Sequence, residues 1–122
     1  MPSVAILGAS KDRQRFSNKA VRAYLQAGYS VYPVNPKERE IEVLKCYGTV
    51  SDIPAQPDKA LFYVNPGIGI GLVEGVARKG VKVVYLNPGA ESPELAEKAR
   101  GLGLEVVQAC AIVAIGRKPS EF

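Results

Sequence analysis

The chain has 122 residues, of which 47% are hydrophobic, and a formal net charge of +4. That length predicts one domain over residues 1–122, burying roughly two-thirds of its unfolded surface. No run of about 18 apolar residues is present, and Met1 leads at once into an apolar strand, so neither a membrane span nor a signal peptide is predicted. The two cysteines lack metal-ligand spacing and predict reduced thiols in a cytoplasmic protein. Histidine is absent, which excludes the commonest general base.

The positive charge is unevenly distributed along the chain. Residues 1–50 carry eight Lys or Arg against four Asp or Glu, whereas residues 51–122 carry eight against eight. A nucleic-acid-binding surface usually spreads its basic residues over a stripe with aromatic residues among them. Here the basic residues cluster beside one glycine turn, so the pattern favours a compact polyanion, such as a phosphorylated small molecule, over a nucleic acid.

The first predicted strand is the apolar run Val4–Leu7, which ends at Gly8-Ala9-Ser10. A basic loop follows, and a helical pattern resumes after it. Ser17-Asn18 is the predicted cap of this helix, and Gly28 its left-handed end. In such a strand, loop and helix unit, the loop N–H groups and the positive helix terminus attract a phosphate.

Further strands alternate with helices. The predicted strands are Tyr29–Val34, Lys59–Val64, Lys82–Leu86 and Leu104–Val107. One helix follows Asn65-Pro66-Gly67, and another begins with Ser92 as its N-cap and Pro93 in its first turn. Three other stretches are predicted less specifically: 37–42 as a loop or frayed helical turn, 50–54 as a short helical turn or connector, and 110–115 as a final strand or a loop packed on the sheet edge.

This alternation predicts an α/β fold with a doubly wound parallel sheet, because parallel strands need right-handed crossovers that cover both faces. The predicted strand order is 3-2-1-4-5. Ligands of such sheets bind beyond the carboxyl ends of the strands, where the strand order reverses. Segments 8–10, 35–37, 65–67 and 87–89 each follow a strand, so we expect them to meet at one rim.

The residues after the first two strands narrow the class of ligand. Gly8-Ala9-Ser10 lacks the Gly-x-Gly-x-x-Gly fingerprint of dinucleotide sites. The second strand ends at Pro33-Val34-Asn35-Pro36-Lys37, without the acidic residue that binds the ribose in NAD sites. Lys37 suits a ribose that carries its own phosphate, which leaves NADP and coenzyme A open. The alternative interpretation of Lys37 is a solvated surface lysine.

These segments resemble those of the small CoA-binding proteins. The same fold forms the N-terminal CoA-binding domain of succinyl-CoA synthetase alpha subunits and of ADP-forming acyl-CoA synthetases. The resemblance covers nearly the whole chain and rests on residues 4–10, Arg15-Phe16-Ser17, Tyr32–Lys37, Cys46-Tyr47 and the segment that contains Cys110. Its most specific element is the pairing of Gly-Ala-Ser after the first strand with Pro-Val-Asn-Pro-Lys after the second.

The resemblance implies a Rossmann-like fold, coenzyme A as the cofactor, and a set of binding residues on three loops. The residues implied at the CoA phosphates are Gly8, Ala9 and Ser10, with Arg15, Ser17 and Lys19 nearby. Those implied at the adenosine are Val34, Asn35, Pro36 and Lys37, with Lys37 at the 3′-phosphate. Asn65 and Pro66 match the loop beside the nucleotide in the synthetases. The implied partner is CoA or an acyl-CoA; a homodimer and association with a separate synthetase-type subunit are both left open.

The sequence predicts binding without catalysis. The synthetases relay a phosphoryl group through a histidine on another domain, and this sequence has no histidine. An NADP-binding oxidoreductase-like domain and a regulatory subunit with an empty nucleotide fold are the alternatives. Cys110 is the candidate thiol for a disulfide with CoA, but its apolar neighbours Ala109, Ala111 and Ile112 disfavour a thiolate. Reversible binding is therefore predicted.

Overall fold

The computed structural model describes residues 2–122, and in this part of the chain five parallel strands form the main sheet. They are β1 (Ser3–Leu7), β2 (Ser30–Val34), β5 (Lys59–Phe62), β6 (Val83–Leu86) and β7 (Glu105–Val107), while β3 (Glu40–Ile41) and β4 (Leu44–Lys45) form a separate hairpin. The helices are α1 (Phe16–Gln26), α2 (Pro66–Arg78) and α3 (Pro93–Gly101), with short 3-10 helices at Val50–Asp52, Val113–Ile115 and Pro119–Glu121. The predicted α/β class with a parallel sheet is confirmed.

The order of the strands differs from the prediction. The observed order is β2-β1-β5-β6-β7, or 2-1-3-4-5 in the numbering of the predicted strands, so 3-2-1-4-5 is wrong. The outer edge of β2 is taken by Tyr47, whose N–H donates to the carbonyl of Pro33 and whose carbonyl accepts from the N–H of Asn35, both at 2.9 Å. The third predicted strand therefore pairs with β1 on its other side. The strand order reverses between β1 and β5.

Two apolar cores lie on the two faces of this sheet. Along β5, Ala60 and Phe62 point to the face covered by α2 and α3, while Leu61 points to the face covered by α1. The C-terminal segment completes the α1 face: Ala111 and Ile112 are fully buried, and the Tyr24 hydroxyl donates to the Ala111 carbonyl at 2.6 Å. Residues 110–115 thus form a loop and a 3-10 helix. The predicted alternative of a packed loop is confirmed, whereas the final strand is wrong and the loop packs on a face of the sheet, not on its edge.

The predicted starts and ends of the helices agree with the structure in part. Gly28 adopts φ +89° after α1, and Ser92 caps α3 by accepting from the Leu95 N–H at 3.0 Å, as predicted. The predicted Ser17-Asn18 cap is wrong, because α1 begins after Arg15 and both residues are buried inside it. Segment 37–42 contains the short strand β3 because Ile41 is buried against the α1 face. Over residues 2–122, no helix has the length and apolar content to span a bilayer.

Candidate ligand-binding site

A cavity of about 590 Å³ opens at the carboxyl ends of the strands, where the strand order reverses. We call it the rim cavity. Its walls come from the end of β1, the first turn of α1, the loops after β5 and β6, and the C-terminal segment. Four predicted site residues line it: Gly8, Arg15, Ser17 and Asn65. The expected meeting of strand ends is therefore seen for three loops, whereas segment 35–37 lies outside the lining of this cavity.

The first turn of α1 forms one wall of the rim cavity. Among the described residues, no side chain caps this helix, and its first turn contains no acidic residue. By contrast, Asn65 caps α2 and Ser92 caps α3 through their side-chain oxygens. Uncapped N–H groups and the positive end of the helix dipole favour an anion. Arg15, Phe16 and Ser17 lie on this wall, so the terminus faces a space that a ligand can enter.

Gly8, directly after β1, packs tightly against the residues that follow β5. Its φ is +84°, and a Cβ there would lie 2.7 Å from the Tyr63 carbonyl oxygen and 2.8 Å from Val64 Cγ1. The N–H groups of Gly8 and Ala9 both donate to the Val34 carbonyl, at 3.0 and 3.3 Å. These two N–H groups were expected to be free for a phosphate, but they already join the ends of β1 and β2.

Asn35 joins the loop after β2 to the loop after β1. Its Nδ2 donates to the Ala9 carbonyl, and its Oδ1 accepts from the Lys37 N–H, both at 2.8 Å. Ala9 is completely buried. The Ser10 hydroxyl oxygen accepts from the Asp12 N–H at 3.0 Å, which leaves its proton for another acceptor. In this part of the site, Ser10 has the available side-chain donor, while Ala9 and Asn35 shape the loops.

Two cations of the basic loop are paired with acidic residues. Lys11 Nζ lies 3.4 Å from Glu38 Oε2, and Arg13 Nε lies 3.3 Å from Glu42 Oε2. Their charge is therefore partly balanced within the chain.

The other basic residues predicted to contact the ligand are less tied to acidic residues of the chain. Arg15 lines the rim cavity, and its Nε lies 3.9 Å from Asp12 Oδ2. Both side chains are exposed, so this ion pair contributes little to stability. Lys19 is not among the residues that line the cavity, but its Nζ lies 5.4 Å from the centroid of the ring of Phe16, which does line it. Lys37 is exposed. The remaining predicted residues are the buried Val34, the exposed Pro36, and Pro66 in the first turn of α2.

Tyr63 and Asn87 line the rim cavity but had no binding role in the sequence analysis, which considered Cys110 only as a thiol for a disulfide with CoA. Within residues 2–122, Tyr63 Oη is buried and makes no hydrogen bond, and burial raises the pKa of Tyr63, so the phenol is neutral at pH 7. Asn87 donates to the Phe62 carbonyl at 3.1 Å and accepts from the Ala111 N–H at 2.8 Å. Cys110 is half-buried. Tyr63 directly follows the last residue of β5 and stands two residues before Asn65, and an aromatic residue at that position was the available signal for it.

The sequence is similar to a known protein family and to parts of larger ligases. Residues 2–116 match the family described as CoA binding domain. The alpha subunit of acetate–CoA ligase (ADP-forming) II from Pyrococcus furiosus is 30% identical over 115 residues, which are 85% of this chain and 25% of that protein. Acetate–CoA ligase (ADP-forming) II from Archaeoglobus fulgidus is 37% identical over 82 residues, 66% of this chain and 12% of that protein. The chain thus spans a quarter or less of these relatives.

Solved structures have the same fold. A hypothetical protein from Pyrococcus horikoshii OT3 superposes with a TM-score of 0.87 at 35% identity, over 92% of this chain and 79% of that one. The dinucleotide-forming acetyl-coenzyme A synthetase 1 of Ca. Korarchaeum cryptofilum, in its apo form, superposes with a TM-score of 0.77 at 30% identity, over 88% of this chain and 26% of that one. The fold is therefore similar both to a chain of comparable size and to one part of a larger synthetase.

Proposed function

The chain belongs to the family of CoA-binding domains, and we propose that it binds coenzyme A, or an acyl-CoA, at the carboxyl ends of its strands. The observation that carries this proposal is the uncapped first turn of α1, which opens with Arg15 into the rim cavity. Coenzyme A carries a diphosphate and a ribose 3′-phosphate, and a helix N-terminus with an arginine suits such anions. The volume of the cavity lies within the range of about 300 to 1,000 Å³ usual for small-ligand sites.

In the proposed arrangement, the diphosphate lies against the first turn of α1. Ser10, Arg15, Ser17 and Lys19 are the residues proposed to face it. The adenosine then lies toward the loop after β2, where Lys37 is exposed and binds the 3′-phosphate. The pantetheine arm enters the part of the cavity between the loops after β5 and β6, beside Tyr63 and Cys110.

The other predicted residues shape these loops in the proposal. The N–H groups of Gly8 and Ala9 hold the end of β2 by donating to the Val34 carbonyl. Asn35 joins the same two loops by donating from Nδ2 to the Ala9 carbonyl. Pro36, Asn65 and Pro66 border the ligand and set the direction of the loops that carry them.

We propose binding without catalytic machinery in this chain. The curated relatives are ligases, of which this chain spans a quarter or less, and the sequence contains no histidine to relay a phosphoryl group. A separate synthetase-type subunit, or a second copy of this chain, is the proposed partner. Both cysteines are free thiols, in keeping with the proposed cytoplasmic location.

Calorimetric titration with CoA, dephospho-CoA, NADP and NAD tests the proposal. We expect saturable binding of CoA. In Arg15→Ala this binding should weaken by about 1 to 3 kcal/mol, because a charge-assisted contact to phosphate is removed. Arg78→Ala is the matched control, since Arg78 is exposed in the last turn of α2, away from the first turns at the rim.

Two outcomes would contradict the proposal. Binding of NADP without binding of CoA would favour the oxidoreductase-like alternative. Absence of heat with all four nucleotides would favour the regulatory subunit with an empty nucleotide fold.

A further inference from the structure

Asn18 joins the loop between β1 and α1 to the β3–β4 hairpin. Its side chain is fully buried, and Nδ2 donates to the Ser10 carbonyl at 2.9 Å and to Glu42 Oε2 at 3.1 Å. Its Oδ1 accepts from Arg22 Nε at 2.7 Å. Both protons of the amide nitrogen and the amide oxygen are therefore used, which fixes the orientation of the group. Through Asn18, the carboxylate of Glu42 is connected to the backbone of Ser10.

The same carboxylate oxygen of Glu42 also holds Arg13. Arg13 Nε lies 3.3 Å from Glu42 Oε2, and the Arg13 carbonyl accepts from Arg22 Nη2 at 2.8 Å. Lys11 of the same loop contacts Glu38, which lies two residues before β3. The loop that carries the proposed phosphate donors is thus tied to the hairpin at several points along its length.

The tip of the hairpin has an unfavourable backbone conformation. Glu42 and Val43 have φ of +50° and +59°, the left-handed region that a two-residue hairpin turn requires and that Asn or Gly normally occupies. For a β-branched residue such as Val43 this conformation is rare, and its side chain is 90% exposed, so burial there does not compensate. A conformation of this kind persists when surrounding contacts hold it. The contacts of Glu42 with Asn18 and Arg13 provide such a hold.

We infer that Glu42 is a positioning residue for the proposed phosphate site, because its carboxylate fixes the loop between β1 and α1 in its ligand-binding shape. This inference rests on the proposed function. Glu42 belongs to the hairpin, whereas the walls of the rim cavity come from other loops. It therefore acts on the ligand through Asn18 and Arg13.

Positioning and simple electrostatics predict opposite signs for the loss of this side chain. Removal of a negative charge beside a site for a polyanion reduces repulsion and should tighten binding. Removal of a contact that preorganises a loop adds an ordering cost to binding and should weaken it. The direction of the change in affinity therefore separates the two roles.

Three variants make this comparison with coenzyme A as the titrant. Glu42→Ala removes both the charge and the contact. Glu42→Asp keeps the charge, but its side chain is one methylene too short to preserve the contacts, and Asp tolerates a positive φ. Glu40→Ala is the matched control, because Glu40 is an exposed acid of the same hairpin. Circular dichroism gives the midpoint of thermal unfolding of each variant. Affinities are then measured by calorimetry at a temperature well below that midpoint.

We expect both Glu42 variants to bind CoA more weakly, by about 10-fold for Glu42→Ala, the equivalent of about 1.4 kcal/mol. Glu40→Ala should bind as tightly as the wild type or more tightly. Equal or tighter binding by folded Glu42→Ala, while the wild type binds CoA, would overturn this inference alone. If Glu42→Ala does not fold, Glu42→Asp decides, and an unchanged affinity there overturns the inference. Absence of CoA binding by the wild type overturns the proposed function and this inference together.

Discussion

Replacement of Gly8 by alanine tests whether the close approach of β1 and β5 requires glycine at the rim. The backbone at Gly8 has φ +84°, and an added Cβ would lie 2.7 Å from the Tyr63 carbonyl oxygen. That oxygen is part of the backbone, so the overlap cannot be relieved by rotation of a side chain. The end of β5 must move instead, at the point where the rim cavity opens.

The expected cost has two parts. A left-handed conformation costs an L-residue with a Cβ roughly 1 to 2 kcal/mol relative to glycine. Overpacking against neighbours that cannot yield costs typically about 1 to 3 kcal/mol more. Gly8→Ala should therefore lower the free energy of unfolding by about 2 to 5 kcal/mol, a large share of the roughly 5 to 15 kcal/mol usual for a domain.

Gly28→Ala is the matched control, because Gly28 has nearly the same φ, +89°, with nothing within 4 Å of an added Cβ. It should show the conformational cost alone, about 1 to 2 kcal/mol. Urea unfolding followed by circular dichroism measures both variants, and an unchanged m-value shows that the comparison is between like states. If Gly8→Ala costs no more than Gly28→Ala, the steric argument at the rim is incorrect.

Three further predictions concern the ligand and the pH. Lys37→Ala should weaken CoA by about 1 to 3 kcal/mol and leave dephospho-CoA nearly unchanged, if a charge-assisted bond to the 3′-phosphate is lost; equal weakening of both ligands in calorimetry would contradict this role. Incubation with CoA disulfide should leave the intact mass unchanged, because Cys110 has apolar neighbours; a CoA-sized adduct absent from Cys110→Ser would contradict reversible binding. Burial raises the pKa of Tyr24 and Tyr63 above the value of 10.0 expected when unfolded, so the folded state keeps protons that the unfolded chain loses, and stability should fall above about pH 10. In Tyr63→Phe, the free energy of unfolding measured with urea should fall less steeply with pH between about pH 8 and pH 11. An unchanged dependence on pH would contradict the role given to Tyr63.

The sequence by itself predicted those features that depend on a few neighbouring residues. The alternation of apolar strands with amphipathic helices indicated the parallel α/β class. Gly28 and Ser92 marked a helix end and a helix start, because the left-handed turn and the N-cap each involve atoms within about one turn. Membership of the CoA-binding family was likewise predicted from the segments after the first two strands. Of the predicted site, the structure brings Gly8, Arg15, Ser17 and Asn65 to one cavity.

Only the tertiary structure decided which segments meet. Tyr47 occupies the outer edge of β2 and so directs β5 to the other side of β1, a pairing between residues far apart in the sequence. The Val34 carbonyl accepts from the N–H groups of Gly8 and Ala9, which the sequence predicted to bind a phosphate. Asn18 donates to Ser10 and Glu42 instead of capping its own helix. Local propensity cannot determine these choices, because each hydrogen-bonding group has several partners within reach and the packing of distant segments selects one of them.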